Sequence, residues 1–499
     1  MPRKIIYEIK SNPFIYVLLL ITVVGGFLLR IYNIDKLLGF YFDQGRDALA
    51  IWNIWHGGDI PFIGPTTGIA GIFRGSFYYW LIAPFYLLGK GNPVWPSVFL
   101  SVTTMFAVIL IYCLGFKIQS RMTGLIAAIV ASFSFNIVMA SRWLSNPTPM
   151  LILSLILVWL MLIAYEGKKR VFPWIFFIAA VSLFHFGSAG EVFYFPVILV
   201  LAVLKRKDFF TKKSLVYSVV AILVVILPLI AFDIKNHGII VGNVRNFLFD
   251  QESFKLPTWR FIGDKINFYY DVFTNKIFNG RYQLEKILMS FISLFFVYHL
   301  HKLIKNKGVK ILLLLLGSVC LGLIFFQGNF GNIYDYYLTG YYLPFILLFS
   351  VSLGYMWKWK WGKVFVIYFA YIFIMNNSNV LRFKLTDGGL GPNSISYIAQ
   401  NKAIDWVYQD ANGNPFNIDV YVPPVISYSY DYLFKWLGST KYSYQPSEER
   451  QDVLYTLYEK DSDHIERLDA WLARQKGIGK VEESQTFGGI TVERRTRIE

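Results

Sequence analysis

The sequence predicts a polytopic α-helical membrane protein carrying a small α/β extracytoplasmic C-terminal domain, and three observations predict it. Of 499 residues, 55% are hydrophobic and only 16% charged, against about 25% charged in soluble chains. Eleven apolar runs approach the ~20 residues that a helix needs to cross a hydrocarbon core. Beyond residue 381 the composition changes, with 14 Lys+Arg against 17 Asp+Glu and few long apolar runs. The same numbers exclude other classes. A nucleic-acid binder with a net charge of +16 would raise its charged fraction rather than lower it, so no nucleic-acid partner is expected. The 45 Phe, 33 Tyr and 14 Trp exclude a disordered chain. Cys113 and Cys320 both lie inside apolar runs, so they indicate neither an oxidising compartment nor a metal site.

The apolar runs lie near 14–31, 97–116, 122–141, 147–165, 172–187, 191–204, 214–234, 283–301, 311–327, 336–353 and 363–381. Six short segments collect the basic residues: Arg3, Lys4 and Lys10; Lys117 and Arg121; Lys168, Lys169 and Arg170; Lys205, Arg206, Lys207, Lys212 and Lys213; Lys302, Lys305, Lys307 and Lys310; Lys358, Lys360 and Lys363. They hold 20 Lys+Arg against three acids, Glu8, Glu166 and Asp208, so the net charge of the whole chain sits there. By the positive-inside rule these segments are cytoplasmic. The +16 is therefore a topology signal and says nothing about substrate. The N-terminus is inside and, with eleven spans, the C-terminus outside.

The first run follows a basic N-terminus, but no small-x-small cleavage site follows it. Arg30-Ile31-Tyr32 reads as an interfacial anchor, so the run is expected to be a retained span. The stretch Ser76 to Leu88 has 13 residues, about 20 Å as a helix, and contains Pro84. If it crossed, every later basic segment would change sides, so it is expected to be interfacial or re-entrant. This leaves a membrane part, 1–381, with external loops at 32–96 and 235–282, and a soluble domain, 382–499. In that domain Asn417 to Val422 alternates like a strand, and Ile465, Leu468 and Leu472 recur at helical spacing. No internal repeat is evident, which argues against an inverted-repeat transporter.

Ionisable groups near membrane level mark function by default. The first external loop opens with Phe40-Tyr41-Phe42-Asp43-Gln44-Gly45-Arg46-Asp47. A helix over 44–56 puts Ala48, Ile51, Trp52 and Trp55 on one apolar face, expected to lie in the membrane interface. Asp43 and Asp47 are candidate catalytic carboxylates, with Arg46 between them. Asp43 also fits an N-cap without any catalysis. Arg74 precedes Tyr78-Tyr79 and suits a phosphate, because a guanidinium fork matches phosphate oxygens; it equally suits an ordinary headgroup anchor. Arg142 beside Asn146-Pro147, the pair His185 and Glu191 flanking a short external turn, and Tyr334-Asp335-Tyr336-Tyr337 are weaker candidates, each with a structural alternative. There is no zinc spacing, phosphate-cradling glycine loop or nucleophile elbow.

An acidic motif opening a long first external loop, a basic residue before a Tyr-Tyr segment and an external soluble C-terminus resemble the GT-C glycosyltransferases. The likeness is nearest to family 39, the group of protein O-mannosyltransferases and lipid A aminoarabinose transferases. Asp43 falls on the Asp of that family's Asp-Glu motif and Gln44 replaces its Glu. Arg74-Gly75-Ser76 keeps the basic charge of its Lys/His-Pro-Pro motif and loses both prolines. Asn146-Pro147, His185 and the stretch from Tyr334 to Pro344 also look like family positions.

The resemblance implies transfer of a sugar from a polyprenyl-phosphate donor to a lipid, glycan or protein acceptor on the extracytoplasmic side, with inversion. Asp43 or Asp47 would be the general base, and Arg74 with Arg142 would hold the donor phosphate. Arg46, Tyr78, Tyr79, His185, Glu191, Tyr334, Asp335 and Tyr337 would form the substrate groove. No cofactor is required on this reading, and no essential metal. The main alternative is a transporter or flippase of lipid-linked glycans. A non-catalytic membrane anchor and a metal-dependent oligosaccharyltransferase-like enzyme are further rivals.

Overall fold

The computed structural model describes every residue except 1, 70, 206–208, 210, 252, 281–282, 329–331, 424–425 and 499. Arg206, Lys207 and Asp208 of the fourth basic segment therefore lie outside the described residues. All eleven apolar runs are helical. By length and composition alone, six helices among the described residues are long and apolar enough to cross a membrane: Pro13–Ile31, Val94–Ile118, Lys212–Lys235, Lys307–Phe325, Asp335–Met356 and Lys360–Thr386. A seventh span forms if Arg121–Phe133 and Phe135–Arg142, bent by 62° at Ser134, count as one. The chain is a multi-pass membrane protein. The last helix continues through Thr386 before the C-terminal domain begins.

The molecule has two chemically distinct ends. At one, Lys117 pairs with Glu166 at 2.7 Å, Arg121 pairs with Glu8, and Lys205 and Lys307 both sit over the Tyr165 ring. These contacts gather five of the six basic segments around one end of the bundle. The helix Met150–Tyr165 runs from that end to Pro147, which lies at the other.

Shorter helices shape the second end. The segment 172–204 is a helical hairpin of two half-length arms, Phe172–Val181 continuing into a π-turn at Ser182–Phe186, and Ala189–Phe193 continuing into Tyr194–Leu204. Each arm has about 15 residues, roughly 22 Å, so the reversal at Gly187-Ser188 falls short of a full crossing. The expected non-spanning stretch forms the helix Phe77–Leu88, with Tyr78, Tyr79, Ile82, Ala83 and Tyr86 buried and Trp80, Leu87 and Leu88 exposed.

One arginine departs from the sequence reading. Arg30 is not an interfacial anchor. It is fully buried and donates to the carbonyls of Gly26, Ala131 and Ser132 and to Thr104 Oγ1. Ala131 and Ser132 end the first half of the bent pair, where carbonyls lose their helical partners, and Arg30 supplies donors to them.

The C-terminal domain is the small α/β unit expected. Its sheet has the order β3-β4-β6-β5, from Asn417–Tyr421 (β3), Val453–Glu459 (β4), Gly479–Phe487 (β5) and Ile490–Arg497 (β6). β3 and β4 are parallel, and the remaining pairs antiparallel. The helix Ile465–Ile478 matches the predicted periodicity. The domain sits directly on the first external loop. Tyr41 donates to the Ile395 carbonyl, Gln400 donates to the Phe40 carbonyl, and Phe42 packs on Tyr428.

Candidate active site

The helix Phe42–His56 carries both candidate carboxylates, and its start is not capped by Asp43. Tyr41 occupies the extended N-cap position, and its backbone N–H donates to Gln44 Oε1 at 3.1 Å. The other end of the Gln44 amide donates to the Leu144 carbonyl. A glutamate there has no N–H for Leu144, so the departure from Asp-Glu has a structural cause. The apolar face is also placed differently from the expectation. Ala48 and Ile51 are buried, Trp52 packs on Tyr432 of the C-terminal domain, and Trp55 donates to the Ala83 carbonyl. Most of that face packs on protein, with Trp55 still 43% exposed.

Arg46 binds both aspartates, which differ in exposure. Asp43, with 56% of its side chain exposed, pairs with Arg46 Nη1 at 2.8 Å. Asp47 is buried, and its Oδ1 accepts from Arg46 Nε at 3.0 Å, Arg46 Nη2 at 2.8 Å and the Tyr79 hydroxyl at 3.0 Å. Burial raises the Asp47 pKa to about 6 against the opposing pull of Arg46. Burial also works against the charge on Arg46, but Asp47 and Asp43 hold it protonated above its usual range.

Arg74 comes from a two-stranded hairpin, Ile63–Thr66 (β1) against Phe73–Gly75 (β2). It donates to the Gly187 carbonyl at the hairpin reversal, and its Nε is buried with no partner among the described residues. Burial lowers its pKa, and Glu191 opposes that. The following residue must be small, since a Cβ on Gly75 would come within 2.0 Å of the His185 ring. The proline that the family carries beside its basic residue has no room here.

Two cavities meet at Arg74. A polar one of about 210 Å³ is lined by Asp43, Arg46, Thr66, Trp143, Ser145, Asn146, Pro147 and Tyr336. An apolar one of about 250 Å³ is lined by Ile72, Phe73, Leu183, Phe184, Val192, Phe247, Phe254, Phe326 and Tyr337, among others. Arg74, Thr67, Gly68 and Ser188 line both. A charged fork thus stands between a compartment fit for polar groups and one fit for a hydrocarbon tail.

The other predicted residues divide. Tyr79 reaches Asp47, and Tyr337 lines the apolar cavity. Arg142 lines neither cavity, and its Nη1 donates to the carbonyls of Leu29, Arg30 and Tyr32 at the end of the first span. The His185 ring stacks on Phe77, Nδ1 accepts the Phe77 N–H, and Nε2 donates to the Val225 carbonyl. Glu191 accepts the Ser188 N–H and starts the second hairpin arm. Tyr78 is buried in the core, Asp335 pairs with Lys276 at 2.8 Å, and Tyr334 stacks on Tyr336. Tyr336, named within the Tyr334–Tyr337 stretch, lines the polar cavity. The sequence reading missed Thr66, Thr67, Gly68, Trp143, Ser145 and Ser188, which carried no signal.

Residues 74–232 match the family model described as Dolichyl-phosphate-mannose-protein mannosyltransferase. The whole chain has the fold of ArnT from Cupriavidus metallidurans. The apo structure aligns with a TM-score of 0.62 at 10% identity, covering 97% of this chain and 98% of that one. The structure of the same protein bound to undecaprenyl phosphate aligns with a TM-score of 0.57 at the same identity and coverage. A looser likeness, TM-score 0.46 at 12% identity over 87% of this chain and 64% of the other, is to the apo oligosaccharyltransferase of Archaeoglobus fulgidus. No curated protein matches the chain in sequence. The family-model match over part of the chain and the ArnT fold bear out the GT-C resemblance drawn from the sequence.

Proposed function

We propose that this protein transfers a sugar from a polyprenyl-phosphate donor to an acceptor on the extracytoplasmic side, by a single inverting displacement. The meeting of the polar and apolar cavities at Arg74 carries this reading. A polyprenyl phosphate has the same division, a long hydrocarbon tail joined to a charged head. The ArnT structure of the same fold is described as bound to undecaprenyl phosphate. The site also lies at the end of the bundle opposite the basic segments, which supports an outward-facing reaction under the positive-inside rule.

Within this reading Asp43 is the general base. It lines the polar cavity and is the more exposed carboxylate, so it has access to an acceptor proton. Asp47 is a positioning residue that orients Arg46 and Tyr79. Arg74 stabilises the charge that builds on the departing phosphate. Its buried, unpartnered Nε supports that role, because a preorganised donor in a dry site needs no reorganisation at the moment of reaction.

The test supplies the protein, in lipid, with a panel of polyprenyl-phosphate sugars and acceptor glycans or peptides. Released polyprenyl phosphate and the anomeric configuration of the product are then measured. One donor should release lipid phosphate and yield an inverted product. A product of retained configuration would sink the single-displacement mechanism, and movement of intact donor between leaflets without release would favour the flippase alternative.

A further inference from the structure

The helix Phe42–His56 ends against a second cleft of about 220 Å³, where it meets the end of the Phe77–Leu88 helix and the C-terminal domain helix Tyr428–Leu437. Trp52, Trp55, Tyr86 and Tyr432 form aromatic walls, and the exposed His56 and Lys90 complete the lining. The cleft shares no residue with the polar cavity. Ile51, its nearest lining residue on this helix, is eight residues beyond Asp43, about 12 Å along the axis.

Three features mark it as a built site. The turn bearing Lys90 is fixed by the C-terminal domain, with Trp436 Nε1 donating to the Lys90 carbonyl and the Tyr432 hydroxyl donating to the Gly91 carbonyl. Lys90 itself is left-handed, at φ 50°, a conformation that a residue with a side chain keeps only where its surroundings over-determine it. Among the described residues no Asp or Glu lines the cleft, so the charge of Lys90 is left for a ligand.

Aromatic walls suit the C–H face of a pyranose ring, and a lysine with no acid beside it suits an anion. The volume is below the roughly 300–1,000 Å³ of a drug-sized site and accommodates a single ring. Building on the glycosyltransferase reading, we propose that this cleft binds a negatively charged sugar of the acceptor. Its ring lies against Trp55, beside the stacked Trp52–His56 pair, and its anionic group faces Lys90.

Saturation-transfer NMR on the full-length protein in neutral-lipid nanodiscs tests this with glucuronate, glucose and inorganic phosphate. Glucuronate should bind saturably in the roughly millimolar range, more tightly than glucose or phosphate. Trp55→Ala and Lys90→Gln should each weaken it about fivefold or more. Asp43→Asn should leave glucuronate binding intact while abolishing transfer, which separates failure of this inference from failure of the catalytic reading. Absence of saturable glucuronate binding, binding indifferent to both cleft variants, or phosphate binding as tightly as glucuronate would each overturn the proposal.

Discussion

Asp43 and Asp47 are one helical turn apart and share one arginine, yet they face different surroundings. Asp43 opens onto the polar cavity, and Asp47 is enclosed with Tyr79. With its pKa raised to about 6 by burial, Asp47 is ionised above that pH and takes up a proton as the pH falls through it. Protonation weakens its hold on Arg46, so transfer should decline below about pH 6. A pH–rate comparison checks this: Asp47→Asn should be slow at neutral pH and lack that limb. Persistence of the limb in the variant would assign it to another group. The two arginines taken from the sequence as phosphate ligands should also separate. Arg142→Gln leaves carbonyls at the end of the first span without donors, costing about 1–3 kcal/mol for each buried group unsatisfied. Thermal inactivation should therefore come earlier, with donor affinity of the surviving enzyme little changed. Arg74→Met should show the reverse, a rate lowered about 10²–10³-fold at nearly unchanged stability, by analogy with loss of one oxyanion donor.

At the scale of elements, most of the membrane part was legible because long apolar runs and basic connections are one-dimensional signals. The helix Phe42–His56 and the non-crossing helix Phe77–Leu88 followed from periodicity and length. What these elements pack against was not legible. Ala48, Ile51 and Trp52 form an apolar face whether their partner is lipid or protein, and only the fold shows Tyr432 opposite Trp52. The 62° break at Ser134 was equally hidden, because its cause is tertiary: Arg30 satisfies the carbonyls that the break frees. The backbone partners of Arg142 and His185 were hidden for a related reason, since a polar residue near a helix end reads the same whether it faces a cavity or a neighbouring backbone. The polar cavity drew on Thr66, Trp143 and Ser188, which come from three separate connections and carry no local pattern. One contact gives an element-scale test. A Cβ on Gly45 would stand 2.3 Å from the Ser429 backbone nitrogen, so Gly45→Ala should push the Tyr428–Leu437 helix off the site helix. The expected loss is about 1–3 kcal/mol, typical of overpacking, together with reduced transfer, read by thermal inactivation and label release. Unaltered stability would mean that this packing is looser than the geometry indicates.

The whole molecule is a bundle with a basic end and a reactive end, and the C-terminal domain is seated on the helix that carries both aspartates. On the proposed reading the apolar cavity takes the lipid tail, Arg74 its phosphate and Asp43 the acceptor proton, and the domain above selects the acceptor. Each of these roles depends on Asp43 being the base. The most direct test supplies purified wild type and Asp43→Asn, reconstituted in lipid, with the radiolabelled polyprenyl-phosphate sugar that the wild type uses, and follows label leaving the lipid. Wild type should release it, and the variant should be slower by about 10²–10⁴-fold. Release by Asp43→Asn at the full wild-type rate, or no release by wild type from any polyprenyl-phosphate sugar, would contradict the account.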